Sequence, residues 1–221
     1  MLDASASGVY VIAVTPFHDD GRLDDASAER MVAFYRGCGV TGLTILGVMG
    51  EAPKLDTEEA TGFSRRVIKG CGRLPVIVGV SAAGFAAMRV LAHSVMDAGA
   101  AGVMIAPPAA MRTDDQIVGY FAQAVESIGA DVPFVIQDYP QGSGVVMAPS
   151  APRSISKSRN TPPLPANIDT RRIVPSSTMR RSAESFSSPG QSSAFSITQD
   201  ACDSTMLRIA DGAITTPVPC G

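Results

Sequence analysis

The sequence predicts an α/β protein, and three observations carry that reading. Five short apolar runs rich in β-branched residues recur along residues 1–149, and stretches with helical apolar spacing separate them. The repeat length is roughly 30 residues, which is what a strand with its crossover helix requires. The runs are apolar at nearly every position instead of alternating, as for parallel strands buried on both faces of a sheet.

The first strand is expected over Val9–Val14. Asp24 to Cys38 then places Met31, Val32, Phe34 and Tyr35 at helical spacing, and Leu43–Leu46 reads as the second strand. Thr57 to Gly70 opens on Thr57 with two glutamates behind it and closes on Lys69 before Gly70, start and stop signals for a helix. A third strand over Val76–Val80, a helix over Ala86–Ala98 and a fourth strand over Val103–Ala106 follow. The helix over Thr113–Ile128 begins Thr113-Asp114-Asp115, a cap with acidic residues in the first turn, and Phe134–Ile136 is the fifth strand. Two architectures fit five such units. One is a doubly wound open sheet, complete as it stands; the other is the first five-eighths of a (β/α)8 barrel, which needs about 250 residues to close. In both, chemistry gathers in the loops after the C-terminal ends of the strands.

Composition bounds the function. A chain of 221 residues, 45% apolar with net charge −3, reads as a soluble globular protein. Its 18 basic and 21 acidic side chains form no long single-sign run, so no nucleic-acid partner is expected. No apolar stretch is long enough for a membrane-spanning helix, and MLDASASG lacks the form of a signal peptide, so the expectation is a cytoplasmic protein with no membrane partner. Cys38, Cys71, Cys202 and Cys220 make no CxxC pair, and with two histidines a zinc site is not expected; metal ligands: none. His18 and His93 read as structural or surface residues.

The loops after the strands are distinctive. Thr15-Pro16-Phe17 follows the first, Gly47-Val48-Met49-Gly50-Glu51 the second, and Gln137-Asp138-Tyr139-Pro140, with Gly142 and Gly144 close behind, the fifth. In Gly47–Glu51 two glycines let backbone N–H groups face outward at the head of a helix, an arrangement able to hold a carboxylate. The same spacing also suits a plain strand-to-helix turn with a packing glycine, and spacing alone leaves both readings open.

The segments GVYVIAVTPFHDDGRLD, GVTGLTILGVMGEAPKLDTEE, GRLPVIVGVSA and DAGAAGVMIAPP resemble, in order and spacing, the dihydrodipicolinate synthase and N-acetylneuraminate lyase family over residues 8–149. The resemblance implies a (β/α)8 TIM barrel, homo-oligomeric in intact relatives, that joins or splits carbon–carbon bonds without a cofactor. It does so through a Schiff base between a lysine and pyruvate or another small 2-oxo acid. It also implies that Gly47, Val48, Met49, Gly50 and Glu51 hold the 2-oxo acid's carboxylate.

Three departures from the family pattern stand out. Val48 and Met49 replace two hydroxyl residues, Pro107-Pro108-Ala109-Ala110 replaces a proton-relaying tyrosine pair, and Gln137 occupies the place of the tyrosine that serves the Schiff base. Tyr139 and Asp138 stand beside Gln137 as substitute proton-handling groups or as residues that shape the turn. The catalytic candidates are therefore Tyr139, Gln137 and Asp138, and the expected substrate is a 2-oxo acid other than the one of lysine biosynthesis.

A Schiff base needs a lysine whose amine loses its proton, normally a buried one. The resemblance places it on a sixth strand near position 166, where this chain reads PPLPANIDTRR. The lysines are Lys54, Lys69 and Lys157, the last in a polar context that keeps an amine protonated. From Ser150 onward 14 serines appear against 8 before it, and valine falls from 19 to 2, too few branched apolar residues for further buried strands. The expected organisation is thus residues 1–149 as a partial (β/α)8 barrel of five βα units and 150–221 as an irregular Ser/Pro/Arg-rich tail. Such a tail is either a segment unable to bury a core or the product of a reading-frame disruption near codon 150. In favour of the second, codons can be chosen for Ala151–Pro162 and Ser176–Arg180 that spell, in other frames, an amphipathic helix end and a Lys-His-Asp-Glu run like the family's lysine segment. A barrel cut after its fifth strand is expected to leave two sheet edges unpaired and to be poorly soluble.

Overall fold

A computed structural model describes residues 1–2, 6–138, 206–210 and 213–215, the last two segments by backbone alone. The elements run β1 (Gly8–Ile12), α1 (Asp25–Gly37), β2 (Gly42–Ile45), a single 3-10 turn (Ala52–Lys54), α2 (Thr57–Cys71), β3 (Val76–Gly79) and α3 (Phe85–Asp97). They continue with β4 (Gly102–Ile105), α4 (Asp114–Ile128), β5 (Phe134–Asp138), β6 (Met206–Ala210) and β7 (Ala213–Thr215). Strands β1 to β5 are parallel and adjacent in chain order, so the predicted α/β half-barrel is present.

Its edges differ from the expectation. β6 pairs antiparallel with β1, β7 pairs parallel with β5, and the two pair with each other, closing the ring in the order β1-β2-β3-β4-β5-β7-β6. The two edges expected to be unpaired are therefore covered by two short strands from the tail. No helix joins these strands to the βα repeat among the described residues of the tail.

Strands β1 to β5 bury side chains on both faces, as their uninterrupted apolar runs require. Outward positions such as Val11, Leu43, Ile45, Val78 and Ile105 form one core with Val32, Phe63, Met88, Val95 and Phe121 of the helices. Inward positions Tyr10, Ile12, Ile77, Met104 and Val135 form a second, smaller core inside the ring. Three of the four helices begin where the sequence supplies a side-chain acceptor for the first free N–H groups, while α3 follows Gly84 with no side-chain cap. Asp24 accepts from Ser27 N at 2.9 Å ahead of α1, and Thr113 and Gln116 cap each other at the start of α4. For α2 the cap is Asp56, in a reciprocal box with Glu59, and Thr57 is the first helical residue instead of the cap.

Candidate functional site

β2 ends at Ile45, and the chain then reverses through Leu46 (φ 54°) and Glu51 (φ 52°), two side-chain-bearing residues in the left-handed region. Each such residue costs on the order of 1–2 kcal/mol and persists only where its surroundings impose it. Here β3 imposes it. A Cβ placed on Gly79 would lie 2.0 Å from the Leu46 carbonyl oxygen, so the end of β3 lies flat against the turn with no room for a side chain. The turn rests on the inner core: a Cβ on Gly47 would meet Met104 Cε at 3.1 Å and Ile12 Cγ2 at 3.3 Å. The Thr15 hydroxyl donates to the Gly50 carbonyl at 2.6 Å and ties the loop after β1 to the same turn.

The hydrogen bonds of the turn decide what it offers a ligand. Gly50 N–H donates to the Gly47 carbonyl at 3.0 Å and Glu51 N–H to that of Val48 at 3.2 Å. Among the described residues, the N–H groups of Val48 and Met49 meet no acceptor. The expectation that the turn stands at the head of a helix is corrected: it runs into the 3-10 turn Ala52–Lys54, and α2 starts at Thr57 with its own cap. The attraction for an anion is therefore two local N–H groups without the dipole of a full helix. Glu51 is ion-paired with Lys54 on the solvent side, so this carboxylate serves the turn. Val48 is 52% exposed, whereas Met49 is half-buried and packs on the inner core.

Gln137 comes two residues after the inward-facing Val135 on β5 and is 2% exposed, which brings its amide to an inward position one pleat nearer the mouth of the ring. Asp138 ends β5 and is described by its backbone alone; Tyr139 lies outside the described residues. Thr44 was not singled out by the sequence. Its register with Ile12 and Ile77 sets it inward beneath the turn, and its fully buried Oγ1 has no partner among the described residues. Nothing local distinguishes such a threonine in a run of apolar residues. Gly79 did carry a signal, since a glycine inside a strand marks a close backbone approach.

Two cavities lie away from this turn. One, of about 480 Å³, opens between α3 and α4 and is lined by Pro108, Ala110 and Met111 together with Phe85 and Tyr120, whose ring centroids are 5.6 Å apart. Burial pushes the Tyr120 phenol above its usual range and keeps it neutral. The other, of about 220 Å³, lies between α1 and α2. His93 Nε2 is 2.9 Å from the Ile128 carbonyl and links α3 to α4; His18 lies 4.0 Å from the α1 cap Asp24. Burial pushes the Cys71 thiol up to about 11. Among the described residues no group of three or more His, Cys, Asp or Glu side chains could hold a metal ion, and no helix is long and apolar enough to cross a membrane.

The five parallel strands with their four intervening helices are shared with known proteins. The family model described as the dihydrodipicolinate synthetase family matches residues 5–163. The chain belongs to that family. Among solved structures of the family, dihydrodipicolinate synthase from Rhodopseudomonas palustris is 58% identical with a TM-score of 0.67, over 70% of this chain and 51% of that one. YagE, a prophage protein of E. coli K12 solved in complex with pyruvate, is 26% identical with a TM-score of 0.64, over 71% and 52%. A DapA-like lyase of Rhizobium meliloti is 31% identical over 154 residues, 69% of this chain and 50% of its own length. A 4-hydroxy-tetrahydrodipicolinate synthase of Methanothrix thermoacetophila is 29% identical over 154 residues, 69% and 51%. The chain thus spans about half the length of the family members it matches.

Proposed function

We propose that this chain descends from a carbon–carbon lyase acting on a 2-oxo acid, and that it keeps the carboxylate-binding half of that machinery without the Schiff-base amine. The observation that carries the reading is the turn Gly47–Glu51, where the N–H groups of Val48 and Met49 meet no acceptor among the described residues while the buried amide of Gln137 shares the same end of the sheet. A carboxylate oxygen is the partner such paired N–H groups favour. A solved relative bound to pyruvate supports a 2-oxo acid as the ligand class. The missing amine is argued from the lysines: Lys54 and Lys69 are exposed, Lys54 in an ion pair with Glu51, and PPLPANIDTRR carries none near position 166. Schiff-base chemistry calls for a lysine buried at the strand ends, and neither of these exposed lysines is one. The absence of the amine favours a second reading over a working lyase, a non-catalytic 2-oxo-acid or anion-binding relic.

Pyruvate with borohydride separates the two. The expected result is thermal stabilisation by a 2-oxo acid without a covalent adduct. An adduct found by mass spectrometry on Lys54, Lys69 or Lys157 would overturn the loss of Schiff-base chemistry, whereas absence of any stabilisation would overturn the binding site.

A further inference from the structure

The mouth of the ring departs from the family pattern in one consistent direction. Beside the two N–H groups, where the resemblance calls for hydroxyl side chains, stand Val48 at the rim, half in solvent, and Met49 on the inner core with Ile12 and Met104. Neither can hydrogen-bond a carboxylate through its side chain, and both present apolar surface that gains from being covered. Among the described residues, Gln137 near the end of β5 brings a buried polar side chain, 2% exposed, to the same end of the sheet. An amide neither gives up nor takes a proton near neutral pH, so Gln137 suits orientation of a carbonyl oxygen and not proton relay.

We propose that the 2-oxo acid selected by this mouth carries apolar substituents on C3, methyl branches or an aromatic ring, where pyruvate has only hydrogens. In this arrangement the carboxylate accepts from the N–H groups of Val48 and Met49, and the 2-oxo oxygen accepts from the Gln137 amide. The C3 group lies against the Val48 and Met49 side chains. The inference rests on the proposed carboxylate site, and it assigns that site's substrate class. A pyruvate methyl covers little of Val48 and Met49, while a branched or phenyl group replaces water there. Discrimination by apolar contact of this kind amounts to about tenfold or more per group.

Calorimetric titration of the full chain with pyruvate, 3-methyl-2-oxobutanoate, phenylpyruvate and 3-methylbutanoate tests this. The two bulky 2-oxo acids are expected to bind about tenfold or more tighter than pyruvate. Val48→Thr, at a half-exposed position that accepts either side chain, is expected to narrow that gap with folding unchanged by circular dichroism. Gln137→Leu is expected to bring 3-methyl-2-oxobutanoate down to the affinity of 3-methylbutanoate, which lacks the 2-oxo oxygen. Pyruvate binding as tightly as the bulky acids, or a gap untouched by Val48→Thr, overturns the substrate class and leaves the carboxylate site standing. Equal binding of 3-methylbutanoate and 3-methyl-2-oxobutanoate to the parent chain overturns the part given to Gln137. No binding by any of the four removes the carboxylate site itself.

Discussion

Gly79 and Leu46 show how one backbone approach fixes the candidate site. The left-handed Leu46 carbonyl occupies the space where any β-carbon on Gly79 would go, so strand and turn are fitted to each other at a single point. Gly79→Ala must push the turn off β3. We expect a loss of about 1–3 kcal/mol in urea unfolding, together with lost 2-oxo-acid stabilisation, because the turn that moves carries the Val48 and Met49 N–H groups. Gly62→Ala is the matching control. It sits in α2 with nothing within 4 Å of an added Cβ, and is expected to stabilise by up to about 1 kcal/mol. A Gly79→Ala chain as stable as the parent would show that the turn is not braced by β3. The glycines of the turn were legible because Gly47 and Gly50 bracket a loop in sequence. The strain at Leu46 and the orphaned Thr44 hydroxyl were not, since both arise from neighbouring strands that are distant in sequence.

At the scale of elements, the five strands and four helices were legible because each has both a period and a punctuation mark. The bounds moved where punctuation is shared between adjacent residues. Asp56 and Thr57 are both residue types that cap helices, and the structure chooses Asp56, whose carboxylate accepts from Glu59 N at 2.8 Å while Glu59 accepts from Asp56 N at 3.1 Å. Asp56→Ala is therefore expected to cost about 1 kcal/mol in chemical denaturation, and Thr57→Ala close to nothing. A larger loss from the threonine change would return the cap to where the sequence alone put it. The β1 boundary moved for a different reason: Val14 continues the apolar run but is 43% exposed, so hydrophobicity alone overextended the strand past Ile12. Helix placement also bears on the site, since α2 begins six residues after Glu51 and leaves the turn to act through its own N–H groups.

For the whole molecule, the decisive feature is how a five-stranded parallel half-barrel disposes of its edges. Open edges offer a row of free N–H and C=O groups that invite pairing between copies. β6 and β7 occupy both edges at once, with Leu207 opposite Tyr10 on β1 and Ile214 beside Gln137 on β5. A search for βα units passes over such an element, because a hairpin of eight strand residues needs neither a crossover helix nor a long branched run. Ile209 and Ile214, a cross-strand pair, are enough to mark it in retrospect. β6 lies between β1 and β7 and sets Leu207 against Tyr10 in the β1 ladder, and proline is poorly tolerated inside such an interior strand. Leu207→Pro is expected to release the hairpin from β1 and re-expose that edge. Light scattering coupled to size-exclusion chromatography should then show an apparent mass that climbs with concentration beyond that of the parent chain. Ser204→Pro, two residues ahead of β6 in the sequence, changes no residue of the described ladders and should behave as the parent does. If Leu207→Pro keeps the parent's mass at every concentration while circular dichroism shows the helices intact, the hairpin does not guard the β1 edge, and the half-barrel must resist association by other means.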